Sequence, residues 1–109
     1  MFIEFDKIEE TVMPHFQGGE KETFGRIFAD DLNRIMKGRL EPGASIGMHT
    51  HEVNSEILYV LSGTATMLYD DGKEELASGS VHYCPKGHSH SLINTGSEPL
   101  IFLAVVPKQ

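Results

Sequence analysis

The chemistry this chain can offer sits in two short stretches rich in histidine. Residues 47–63 read GMHTHEVNSEILYVLSG, with His49 and His51 one residue apart and Glu56 five residues beyond the second. Residues 79–94 read GSVHYCPKGHSHSLIN and repeat the His-x-His spacing at His88 and His90. In a strand, residues i and i+2 project from one face about 6.5 Å apart, so His49 and His51 would stand side by side. Imidazole nitrogens bind first-row transition metals at about 2.0–2.1 Å. A carboxylate offsets part of a dication's charge, which neutral imidazoles cannot do. Glu56 follows the loop 52–55, where the chain should enter the next strand, and antiparallel pairing would carry it to the same point. Taken alone, a His-x-His pair on an acidic, strand-rich chain fits a solvated strand better than a metal site.

Strands must hold these residues. Apolar positions recur mostly with period two, and eleven glycines and five prolines punctuate the runs. The pattern predicts strands near residues 2–6, 23–29, 33–40, 44–51, 56–61, 64–70, 73–77, 80–84, 89–94 and 99–106. Turn residues part them at Asp30-Asp31, Pro42-Gly43, Ser62-Gly63, Asp70-Asp71-Gly72, Ser78-Gly79, Pro85-Lys86-Gly87 and Thr95-Gly96. The result is an all-β antiparallel sandwich or barrel. Residues 7–13 fit a helical turn or a strand, and 14–22 read as a loop. This divides the chain into an N-terminal arm and loop, 1–22, and a barrel domain, 23–109.

The two histidine stretches together resemble the paired motifs of the cupin superfamily. The first motif is filled by Gly43, His49, His51, Glu56 and Gly63, and the second by Gly79, Pro85, Gly87, His90 and Asn94. Motifs and spacer cover residues 43–94. The resemblance implies a double-stranded β-helix, a jelly-roll-like barrel of the small single-domain type. It also implies one divalent transition metal in the lumen, held by His49, His51, Glu56 and His90. Its identity among Fe, Mn, Ni, Zn, Co and Cu is open, because mixed nitrogen and oxygen donors suit them all. Three imidazoles and one carboxylate leave open coordination positions, as a catalytic site requires. A redox ion there would support a dioxygenase, and a Lewis acid an isomerase or lyase. Either would act on a small oxygen-rich molecule. A non-catalytic sugar- or metabolite-binding module is the alternative. Asn94 is expected to shape the turn Asn94-Thr95-Gly96.

Strand parity then predicts the pocket lining. Ser45 and Gly47 should face inward with His49 and His51. Leu58 and Val60 should follow Glu56, and Leu92 should follow His90. Met36, Gly38, Phe102, Ala104 and Val106 complete an apolar lumen. His88, Tyr59 and Tyr83 are candidate catalytic acid–base groups, and Cys84 is expected to be a small buried hydrophobe. Of the basic residues, Arg34, Lys37, Arg39 and Lys86 could approach an anionic substrate.

Bulk properties narrow the partners. With 109 residues, one domain is expected. A net charge of −7, with nine basic residues scattered along the chain, argues against nucleic acid and against an anionic membrane surface. The start, MFIEFDKIEE, lacks a basic opening followed by an apolar run, so no secretory signal is expected, and no run reaches membrane-spanning length. A single cysteine suits a reducing compartment, so a cytoplasmic location is expected. Ile57, Tyr59 and Leu61, with Ile101, Leu103 and Val105, make the outward face of two strands apolar. That predicts a homodimer, to which Phe2–Phe5 could add by joining a neighbour's sheet.

Overall fold

The period-two pattern becomes ten strands in the computed structural model, which describes residues 1–109. They are β1 (Thr11–Pro14), β2 (Glu22–Ala29), β3 (Asn33–Leu40), β4 (Ser45–Thr50), β5 (Glu56–Ser62), β6 (Thr64–Tyr69), β7 (Gly72–Ala77), β8 (Val81–Cys84), β9 (Ser89–Ile93) and β10 (Leu100–Pro107). All pairings are antiparallel. One sheet has the order β1-β2-β3-β10-β5-β8 and the other β4-β9-β6-β7. The two face each other as an all-β jelly-roll barrel, as expected.

The core lies between the sheets. Met36, Leu58, Val60, Met67, Leu92, Leu100, Phe102 and Ala104 are all buried there. Each comes from the inward parity of its strand, so the alternation that forms the strands also fills the barrel. Turns set where the strands start. Gly87 has φ of 90°, a conformation that costs a side-chain-bearing residue strain. It closes the turn that delivers β9 with His90 facing in. Asn94 is buried and shapes the loop after β9, donating through Nδ2 to Leu40 O and Glu98 O while its Oδ1 accepts from Gly96 N.

Three expectations change. Residues 2–6 form no strand; Phe5–Lys7 is a single 3-10 turn, and Phe2 is exposed. The segment left open at 7–13 contributes β1 instead, which pairs with β2 and widens the first sheet. The third change is in β4, whose register against β9 shifts between Ile46 and His49. A bulge of this kind resets side-chain parity. Ile46, not Ser45 or Gly47, therefore joins the core beside His49. Ser45 and Gly47 turn to the N-terminal segment. Ser45 Oγ accepts from Glu20 N at 2.9 Å, and a Cβ on Gly47 would lie 2.0 Å from Gln17 O.

Candidate metal centre

Pairing across β4 and β9 sets His49 directly opposite His90. His51 stands just past the end of β4, held by backbone bonds from its N–H to His88 O and from Gly87 N–H to its own carbonyl. Glu56 opens β5 from the opposite sheet. The structure thus brings together the four residues singled out as ligands. His90 Nε2 lies 2.9 Å from His51 Nε2 and 3.1 Å from both His49 Nε2 and Glu56 Oε1. His51 Nε2 is 3.0 Å from Glu56 Oε1. His51, Glu56 and His90 are buried, and His49 is half-buried.

The outer nitrogens decide what the inner ones present. His49 Nδ1–H donates to Gly47 O at 2.7 Å, and His51 Nδ1–H donates to Asn54 Oδ1 at 2.6 Å. A carbonyl can only accept, so both neutral rings carry their proton on Nδ1 and turn a bare Nε2 lone pair inward. His90 Nδ1 is 3.0 Å from His82 Nε2 and is likewise engaged on its outer side. Bare imidazole lone pairs and a carboxylate oxygen at about 3 Å repel one another unless a cation lies among them. This donor set fits a divalent transition metal.

Titration follows the same geometry. Burial alone would raise Glu56, but hydrogen bonds with His51 and His90 overcome it and hold the carboxyl well below the usual carboxylate range. The bond to Glu56 raises His51 against its own burial. Burial lowers His49, the bond to Gly47 only partly offsetting it. Without a metal, a proton is drawn between His51 and Glu56, where a metal's charge would otherwise lie.

The candidate acid–base groups lie elsewhere, which is a correction. Tyr59 and Tyr83 take the outward parity of β5 and β8 and are 40% and 52% exposed, because their neighbours Glu56, Leu58, His82 and Cys84 face in. His88 pairs with Asp70 at 2.6 Å and stacks on Tyr69. None of the three lines the clefts beside the cluster. Cys84 is fully buried; burial first, then the charges of Glu56, Asp70 and Glu74, push its thiol up to about 11.

Of the four basic residues that could approach an anionic substrate, only Arg34 lines the clefts beside the cluster. It shares the inward parity of Met36 and Gly38 on β3, a signal already present in the sequence, and stands one step nearer the open end. Its Nε is buried without a partner. Arg34 and His49 line both an inner cleft of about 10 Å3 and a mouth of about 450 Å3, which Asn54 and Lys108 also border. Arg34 and three of the four proposed ligands are the only polar side chains of the inner cleft.

Comparison with known proteins adds the lineage. A cupin domain model matches residues 36–106. An oxalate-binding protein of Thermotoga maritima is 44% identical over 69 residues, covering 62% of this chain and 56% of that protein, so the match reaches little more than half of the relative. A glucose-6-phosphate isomerase of Thermococcus gammatolerans is 38% identical over 64 residues, 54% of this chain and 34% of the isomerase. The crystal structure of a predicted oxalate decarboxylase from Thermotoga maritima superposes with a TM-score of 0.93 at 29% identity, covering 100% of both chains.

Proposed function

The chain belongs to the cupin domain family, and from that premise we propose that it is a metal-dependent protein acting on a small chelating carboxylate of about oxalate's size. One divalent transition metal is held by His49, His51, Glu56 and His90. The observation that carries the reading is Arg34: a buried, unpartnered guanidinium nitrogen shares a cleft with the proposed ligands. A guanidinium matches a carboxylate in bidentate geometry. A dicarboxylate could give oxygens to the metal's open positions and its remaining charge to Arg34. The metal supplies Lewis-acid or redox chemistry there; Arg34 orients the anion, and the apolar wall of Met36, Leu58 and Met67 limits water. The inner cleft of about 10 Å3 has room for roughly one water, so the anion would approach from the mouth of about 450 Å3 that Arg34, His49 and His51 line.

Binding without turnover is the second reading. It is favoured by the inner cleft, which offers no acid–base side chain beyond the proposed ligands. We also assign the protein to a reducing, cytoplasmic setting, in keeping with its one buried free thiol, and to a homodimer.

The test combines metal analysis with oxalate titration. Protein prepared without chelator should carry about one transition metal per chain, and His51→Ala should strip it. Metal should also leave as pH falls through the histidine range, about 6.5, because protons compete for the same lone pairs. Arg34→Ala should keep the metal and weaken oxalate binding about ten- to a hundredfold, the effect of losing a charged hydrogen bond. Less than a tenth of a metal per chain in every divalent supplement would sink the site, and unchanged oxalate affinity in Arg34→Ala would sink the substrate class. Product formation from oxalate separates turnover from binding.

A further inference from the structure

His82 stands behind the cluster rather than in it. It is buried, at 2% exposure, on β8, the edge strand of the larger sheet. Glu74 lies on β7, the edge strand of the smaller sheet. The two meet across the gap between sheets, with His82 Nδ1 2.7 Å from Glu74 Oε1. On its other side His82 Nε2 is 3.0 Å from His90 Nδ1, and the two rings stack.

Read from the surface inward, these contacts form a chain with one proton order. The Glu74 carboxylate can only accept, so His82 carries its proton on Nδ1. Its Nε2 is then a bare acceptor, and His90 must donate to it from Nδ1. His90 therefore presents a bare Nε2 to His49, His51 and Glu56. A carbonyl fixes the tautomer of His49, and the Asn54 amide oxygen fixes that of His51. For His90, whose outer neighbour is another imidazole able to donate or accept, the order is settled only through Glu74.

We infer that Glu74 and His82 are positioning residues that fix the orientation and tautomer of His90 as a metal ligand, and that they tie the ion to the edges of both sheets. The inference rests on the metal reading above. Outer partners of ligating histidines raise ligand basicity, and their loss typically costs 10- to 100-fold in metal affinity. His82, Cys84 and His90 also lie close enough to suggest a second ion. Both nitrogens of His82 are already engaged, however, and nothing calls for a cation there.

Co(II) is the probe. It is titrated into purified full-length protein against a competing chelator, with stoichiometry, affinity and visible spectrum recorded. His82→Leu should bind one Co(II) 10- to 100-fold more weakly with an altered ligand-field spectrum, and Glu74→Ala about tenfold more weakly. His82→Gln should recover most of the affinity, because its amide oxygen can accept from His90 Nδ1–H. In the Zn(II)-loaded protein, ring 15N shifts should show His90 protonated on Nδ1, and Glu74→Ala should broaden or move that signal. Glu74 is part-exposed, so its variant should fold even if His82→Leu does not. Wild type that binds one Co(II), with Glu74→Ala matching it in affinity and the His90 signal unmoved, would overturn the inference and leave the metal site standing. Wild type that binds no Co(II) would remove both. Two Co(II) per chain with a thiolate charge-transfer band would overturn it in favour of a second ion.

Discussion

A buried thiol and a set of buried imidazoles lie within one barrel, and their surroundings send them to opposite ends of reactivity. Cys84 sits opposite Glu56 in the β5–β8 register, where burial and nearby carboxylates push it up to about 11. Its ordinary value is near 9. The native state therefore keeps a proton that the unfolded chain releases, and this contribution is fully present below pH 9. It is lost as pH rises from about 9 to 11. Urea titrations at stepped pH should show native stability falling across that window, with the fall reduced in Cys84→Ala. Thiol reagents should label the native protein slowly at pH 8; rapid labelling would contradict the burial. The proposed ligands were legible because a motif fixes their spacing, and Cys84 because a cysteine at a strand end beside Pro85 was read as a small buried hydrophobe. Tyr59 and Tyr83 were misplaced by weighing their chemistry above their parity. Arg34 was legible from parity, but its lack of a partner was not, since partners come from the whole fold.

Strands, turns and the core parity of β3, β5, β9 and β10 were readable from alternation and turn residues. The bulge in β4 was not. A bulge adds one residue without a sequence signature of its own, and it falls where β4 meets the turn Phe16–Gly18. That contact is tight on both sides: a Cβ on Gly19 would lie 2.0 Å from Ser45 O, and one on Gly47 2.0 Å from Gln17 O. The N-terminal segment thus lies against the strand that carries His49, and Phe16 reaches the inner cleft. Backbone atoms cannot yield as a flexible side chain can. Gly19→Ala should accordingly cost about 1–3 kcal/mol, as overpacking does, and lower Tm by several degrees. Gly72→Ala serves as the control, since its Cβ would meet only one atom, at ordinary contact distance. Equal melting temperatures for the two variants would show that the 15–21 segment does not hold this contact in solution.

The molecule as a whole leaves one face unexplained by the barrel itself. On the outer side of β5 and β8, Ile57 pairs with Tyr83 and Tyr59 with Val81, and all four are at least 40% exposed. The stripe continues through Leu61 and onto Leu103 and Val105 of β10, which are only partly buried. β8 is also a sheet edge, with unpaired backbone groups along one side. A two-fold copy would cover both features with the same surface. The chain does not need the copy to build its core: its radius of gyration is 12.9 Å, about the 13 Å expected of a compact domain this long. Disrupting the proposed dimer should therefore yield a folded monomer. Sedimentation velocity at micromolar concentration should give about twice the 12.1 kDa chain mass. Val81→Glu, which sets like charges against each other across a two-fold contact, should give a monomer with unchanged strand content. Because Val81 faces away from Glu56 and His82, metal content should not change. Each copy carries −7, so added salt should screen the repulsion and tighten an apolar dimer. A wild-type chain that sediments as a monomer in both low and high salt would leave this face to some other partner.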